Sequence, residues 1–371
     1  MCFLFYVISG WKSGLVTCLE KELGKQLNMI GCSLHHNELP FKALFRELDG
    51  ETKGPSDFGG PLGKLCKEDI QDLTQADFVP IETSLSDIDS DVVKELSQDQ
   101  RLLYEYTKGI AQGSVSPQFA SHKIGPVVGS RWLTLAIRLM ALYTRGTVAA
   151  EHSAALKDLV TYIVQIYSPC WFLIKADSKF HNQPHYTHFI LKNLKHQTDK
   201  IQKIVQKNLK GNSFSLLPEN FLYSLVRTKD KNIRNQGINK ILTIRKSTSA
   251  KVRNIKIPAI NFDAESWSEV IDFEKECTTE PALTRHVTDE EFEAALQAGI
   301  EVDSLKDLKL PSHSQSVERC VKLVTESSGL VYGIENRHKH INACVLSRIA
   351  RPMFDSKGEY DTKSYDTVLY I

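Results

Sequence analysis

An α/β beginning that gives way to α-helices is the fold class this sequence predicts. Three observations carry the reading. An apolar run at 2–8 reads as a buried strand, a second strand at Leu27–Leu34 follows across one helical stretch, and 3.6-residue periodicity dominates from residue 98 onward. The 371 residues suffice for two to three domains of about 150 residues each. With 42% hydrophobic and 25% charged residues the composition is that of a folded, soluble globular protein, which excludes disordered, collagen-like and coiled-coil classes.

Taken in order, the first unit is β-α-β. The strand at 2–8 leads into Lys12–Leu23, where Leu15, Leu19 and Leu23 recur at four-residue steps, and Gly24 turns the chain into Leu27–Leu34. A helix over Asn37–Leu48 places Leu39, Leu44, Phe45 and Leu48 on one side and stops at Asp49-Gly50. Residues 1–50 therefore form one part of an α/β core. Seven Gly and Pro residues between 49 and 64 forbid a regular element, and the SLSDIDSD run extends this into an acidic linker, 51–97.

Residues 98–256 read as helical. Helices are expected at Gln98–Ala111, then at two stretches between Ser130 and Tyr167 with Pro169 closing the second. Four more follow at 186–195, 198–209, 219–228 and 231–246, the last capped by Asp230. Asn254–Phe262 alternates, but Pro258 confines it to an edge strand or extended linker. Residues 257–310 form an acidic connecting segment in which Thr288-Asp-Glu-Glu291 is a capping box. Helices at 311–350, including Ser314–Ser327, precede a loop-rich, mobile tail at 351–371.

Net charge is near zero, with 46 Lys+Arg against 45 Asp+Glu, so an overall basic coat is excluded. The charge is segregated instead. Residues 201–258 carry 13 basic and 2 acidic side chains, and 259–310 carry 4 basic and 14 acidic. The basic block is an electrostatic footprint for an anionic partner, or else the acidic block folds back and neutralises it. Eight dispersed cysteines without C-x-x-C point to reduced thiols inside a cell rather than a disulfide scaffold. No uncharged run approaches the length of a membrane span, so no membrane partner is expected.

Several clusters have the residue types that chemistry needs. Cys32-Ser-Leu-His35-His36 pairs a thiol with imidazoles at a strand end, suited to a metal or a nucleophile and base, or simply to packing. His181, His185 and His188 would share a face if helical, but Pro184 interrupts them and favours an exposed loop. Gly59, Gly60 and Gly63 lack the Gly-Lys-Ser/Thr ending of a phosphate loop, because Leu65 follows Lys64. Arg131 and Trp132, opened by Ser130, suit a DNA backbone and a flipped base, or a core Trp beside a surface Arg. In the basic block Arg234, Lys240, Arg245 and Lys246 are the cations expected to meet DNA.

In sequence these features resemble the cut-and-paste DNA transposases of the hAT superfamily. The resemblance rests on Cys32 and His35, on Ser130-Arg131-Trp132, on the helical stretch that follows, and on Ser314-Gln-Ser-Val-Glu318-Arg319, within text such as LHHNELPFKALF and SVERCVKLVTE. It implies a ribonuclease-H-like core interrupted by a mostly α-helical insertion, with two Asp and one Glu holding divalent metals. Glu318 matches the Glu, and Trp132 the tryptophan beside a flipped base. No acidic residue precedes Glu20, so neither Asp has a counterpart and the first would lie upstream of Met1. The resemblance thus implies an N-terminally truncated transposon-derived protein, catalytically inactive, nuclear, and binding DNA or other proteins. It takes no cofactor, Mg²⁺ entering only with an intact site. The alternatives are a helical protein-interaction scaffold and a fragment of an active transposase.

Overall fold

The computed structural model describes residues 15–24, 32–54, 57–68, 77–120, 122, 124–125, 132–145, 148–177, 180–247, 256–281 and 287–298. All belong to the first of two units, which spans Met1–Leu310. The second, Pro311–Leu369, lies outside the described residues, as do strand 2–8, Arg131 and the 314–327 helix with Glu318 and Arg319.

The α/β reading is overturned, and with it the ribonuclease-H-like core: 71% of the described residues are helical. Among the described residues the one ladder is a small antiparallel hairpin, β1 (Thr52–Gly54) with β2 (Asp57–Phe58), besides a lone bridge between Ile260 and Ile271. Helix α1 (Leu15–Leu23) ends at Gly24, whose φ of 62° suits glycine. Cys32 does not end a strand. It precedes α2 (Ser33–Asp49), in which Ser33, Asn37, Phe41 and Phe45 form a buried row at four-residue steps. A short apolar run such as Leu27–Leu34 satisfies either period, and here the tail of that run joins the helix.

The Gly/Pro-rich stretch is built rather than irregular. It forms the hairpin and the short α3 (Pro61–Leu65), with Phe58, Leu62 and Cys66 buried. Asp49 caps α3: Oδ1 accepts from Leu62 N at 2.7 Å and Oδ2 from Gly63 N at 2.8 Å. Gly60 is obligatory, because a Cβ there would lie 1.6 Å from the Asp49 carbonyl oxygen. The acidic stretch beyond is not a solvated linker either. Ile81 and Leu85 are buried, Ile81 N bonds Ile110 O, Thr83 Oγ1 donates to Val164 O at 2.7 Å, and Tyr143 OH donates to Val79 O at 2.8 Å. Its charges point outward from a strap tied across three helices.

The strap leads to α4 (Ser90–Glu95) and α5 (Gln98–Gln112), the latter opened by a Ser97/Gln100 capping box and closed by Gly113 at φ 78°. After α6 (Pro117–Ala120) come α7 (Trp132–Arg145) and the 27-residue α8 (Ala150–Ala176). Pro169 does not end α8. The Ile163–Tyr167 turn is π-helical, with Ser168 N–H reaching back to Ile163 O, and this wider turn admits the proline ring. The stretch is long and apolar enough to cross a membrane, yet 72% of its most apolar 18 residues are buried within the protein, where the helix packs on α2 and α7.

The remaining helices lie close to where periodicity places them: α9 (Gln183–Leu194), α10 (Asp199–Asn212), α11 (Pro218–Arg227) and α12 (Lys231–Lys246). Pro184 starts α9 rather than interrupting it, since a missing N–H costs nothing in a first turn. Asp230 caps α12 through Asn232 N and Ile233 N. All of α11 is buried, and Gly237 of α12 sits so close that a Cβ would come within 2.8 Å of Leu225 Cβ. The chain then crosses the Ile260–Ile271 bridge, turns through α13 (Phe273–Glu276), and reaches α14 (Asp289–Ala298), capped by Thr288 and Glu291 and packed on α12.

Candidate functional site

The predicted site residues are scattered. Cys32 stands at the entry of α2, and His35 lies one turn in, with Nδ1 3.6 Å from Glu38 Oε2. Burial, then the neighbouring His35, holds His36 at about 3, so its imidazole is neutral. Trp132 is 9% exposed, edge-on to Phe41 and Phe45, with Lys42 Nζ 5.8 Å from its ring centre. Its ring packs in the core. Arg131, Glu318 and Arg319 lie outside the described residues.

His185 stacks on Trp267 with ring centres 4.3 Å apart, and burial, then His181 and His188, lowers it to about 4. The histidines do gather at the start of α9. Nevertheless, among the described residues no group of three His, Cys, Asp or Glu is placed to hold a metal ion.

The two charge blocks meet. Arg245 Nε donates to Glu280 Oε2 at 2.6 Å, its Nη1 donates to Asp289 Oδ1 at 3.0 Å and to Val287 O, and its guanidinium lies 4.5 Å from the Phe292 ring centre. Lys240 Nζ donates to Glu274 through the carboxylate at 3.2 Å and the backbone carbonyl. Arg234 is buried and donates to Thr228 O. Of the four cations expected on this helix, Lys246 alone is exposed. The acidic segment therefore neutralises much of α12 within the molecule.

Helix α10 is different. Ile201, Val205 and Leu209 are buried, while Lys200, Lys203, Lys207 and Lys210 are exposed on the opposite face. At 1.5 Å per residue these lysines span about 15 Å. Lys210 lies 5.3 Å over the Phe262 ring. Lys200, Lys203 and Lys207 form no ion pair among the described residues. Their spacing was legible in the sequence, but which basic helix stayed open was not.

On the other side of α10, a small cleft with mixed polar and apolar walls, Leu39, Ile174, Ile190 and Leu209 among them, lies between the start of α2, the end of α8, α9 and the end of α10. Its walls include Ser33, His36, Asn37, Gln183, Asn208 and Ser213, and its volume is about 20 Å³. Asn37 Nδ2 donates to Tyr167 O at 2.9 Å. No carboxylate, lysine or arginine lines the cleft. Comparison of the chain with protein-family models, with curated proteins and with solved structures finds no match in any of the three.

Proposed function

We propose that this chain is a helical interaction protein that holds a polyanion, duplex DNA in the first instance, on the lysine face of α10. The observation that carries the reading is the contrast between the two basic helices. Carboxylates and a carbonyl-rich loop occupy Lys240 and Arg245 of α12, whereas Lys200, Lys203 and Lys207 face solvent with no described counter-ion. Four ammonium groups along one face displace counterions from a phosphate backbone without reading base edges, so the binding is weak, salt-sensitive and sequence-independent.

Fluorescence anisotropy with a labelled duplex tests this. For four phosphate contacts, log K should fall against log salt with a slope of about −3.6. Charge reversal of Lys203 and Lys207 to Glu should lower affinity at least tenfold at about 50 mM salt, whereas Lys246→Glu should have a smaller effect. No binding by the folded wild-type chain at that salt would end the DNA reading. A second reading, a protein-interaction scaffold, is favoured by the pairing of Arg245 with Glu280 and Asp289, which commits charge to the fold itself.

A further inference from the structure

We propose that the small cleft beneath α10, apolar over much of its wall but edged by Asn37, Asn208 and His36, is a hydration site that holds one ordered water molecule as a fixed part of the fold, bonded to those three side chains. Asn37 is 1% exposed, and its amide orientation is set by the bond from Nδ2 to the Tyr167 carbonyl. That leaves Oδ1 shielded from solvent and without a protein partner. The same holds for Asn208 Oδ1 and for His36 Nδ1, and all three residues line this one cleft. Buried polar atoms left unpaired are costly, and two amide acceptors with one imidazole nitrogen around a single cleft call for a shared partner that can both donate and accept.

Size and charge choose the occupant. A volume of about 20 Å³ exceeds the roughly 10–15 Å³ that one water needs and is far below that of an organic cofactor site. The walls carry no carboxylate to offset a cation and no Lys or Arg to offset an anion, so a charged guest would lose its hydration without compensation. Water matches the groups present: it donates to the two amide oxygens and accepts from the imidazole N–H, three bonds, the usual number for an internal water. Such a bridge ties α10 to α2 on the side opposite the lysine face, and His36 and Asn212, both partly exposed, mark the mouth through which the water exchanges.

A crystal structure of the chain, combined with ¹⁷O relaxation dispersion to count long-lived internal waters, tests the proposal. The expected result is a density peak within about 2.7–3.2 Å of both amide oxygens, and one fewer long-lived water in Asn208→Leu than in wild type. A dry cleft, or amide groups bonded directly to each other, would overturn it. So would a rise in Tm with KCl or NH₄Cl, but not with LiCl, that Asn208→Leu abolishes, because that pattern identifies a monovalent cation. If Asn208→Leu does not fold, the wild-type density alone decides.

Discussion

Replacing Arg138 tests the packing argument most directly. The side chain lies 7% exposed in the middle of α7, and its guanidinium donates to four backbone carbonyls: Cys66 at 2.7 Å, Glu68 at 3.0 Å, Gly125 at 3.0 Å and Ile124 at 3.1 Å. One side chain thereby ties the end of α3 and the Ile124–Gly125 segment to the helix core. A hydrogen bond from a charged donor contributes roughly 1.5–3 kcal/mol, and an interior carbonyl deprived of its donor costs roughly 1–3 kcal/mol. Because neighbouring carbonyls relax and share water, these figures do not add in full. Arg138→Met, which keeps the apolar stem, should therefore lose about 3–5 kcal/mol, a large share of the 5–15 kcal/mol typical of folded proteins.

Urea unfolding followed by far-ultraviolet circular dichroism reads this as a lower midpoint at unchanged slope. Arg138→Lys keeps the charge but offers three donors from one point instead of a planar fork, so it should fall between the two, about 2 kcal/mol below wild type. A loss under about 1 kcal/mol in Arg138→Met would refute the reasoning. If that variant does not accumulate, Arg138→Lys matching wild type would do so.

Two further outcomes follow from the same structure. Gly60→Ala should abolish or gravely weaken folding, because its Cβ would sit 1.6 Å from the Asp49 backbone oxygen; a melting temperature within a few degrees of wild type would show that the Asp49 cap is not built as described. The pH profile should carry the mark of His36. Held at about 3 instead of 6.5, it takes up a proton in the unfolded chain but not in the fold between those values, so acidification from pH 6.5 costs about 1.4 kcal/mol per pH unit. Glu219, pushed up to about 7 by burial, works the other way, its contribution being lost as pH rises from 4.5 through 7. Urea midpoints of His36→Gln between pH 6 and 4 should show a slope shallower by about one proton; an unchanged slope would mean that the fold does not hold the imidazole below its usual range.

How far the sequence could be read depended on whether the signal was local. Helix caps were legible, as at Asp230 and Thr288, because a cap is decided by a side chain and backbone N–H groups two or three residues away. The strand reading at Leu27–Leu34 failed on its described end, where Ser33 and Leu34 belong to α2, since a run that short fits two periods. Pro169 reads as a stop in the sequence, because nothing local announces the π-turn that precedes it. The hAT-like features lose the α/β core they implied, Trp132 being bedded on Phe41 and Phe45 and Cys32 at a helix entry.

By itself the sequence determined the helical middle of this protein, the placing of most helices within it, and the existence of opposed charge blocks, because periodicity and composition act over a few residues. Tertiary structure alone decided which of those charges remain available. Arg138 reads in the sequence as one cation in an apolar helix and is spent on four distant carbonyls; Arg245 is occupied by residues 35 and 44 positions away. Lys203 and Lys207 stay open because α10 turns their face to solvent while Ile201 and Val205 turn inward. Electrostatic availability depends on distance in space, and chain folding sets that distance independently of separation along the sequence.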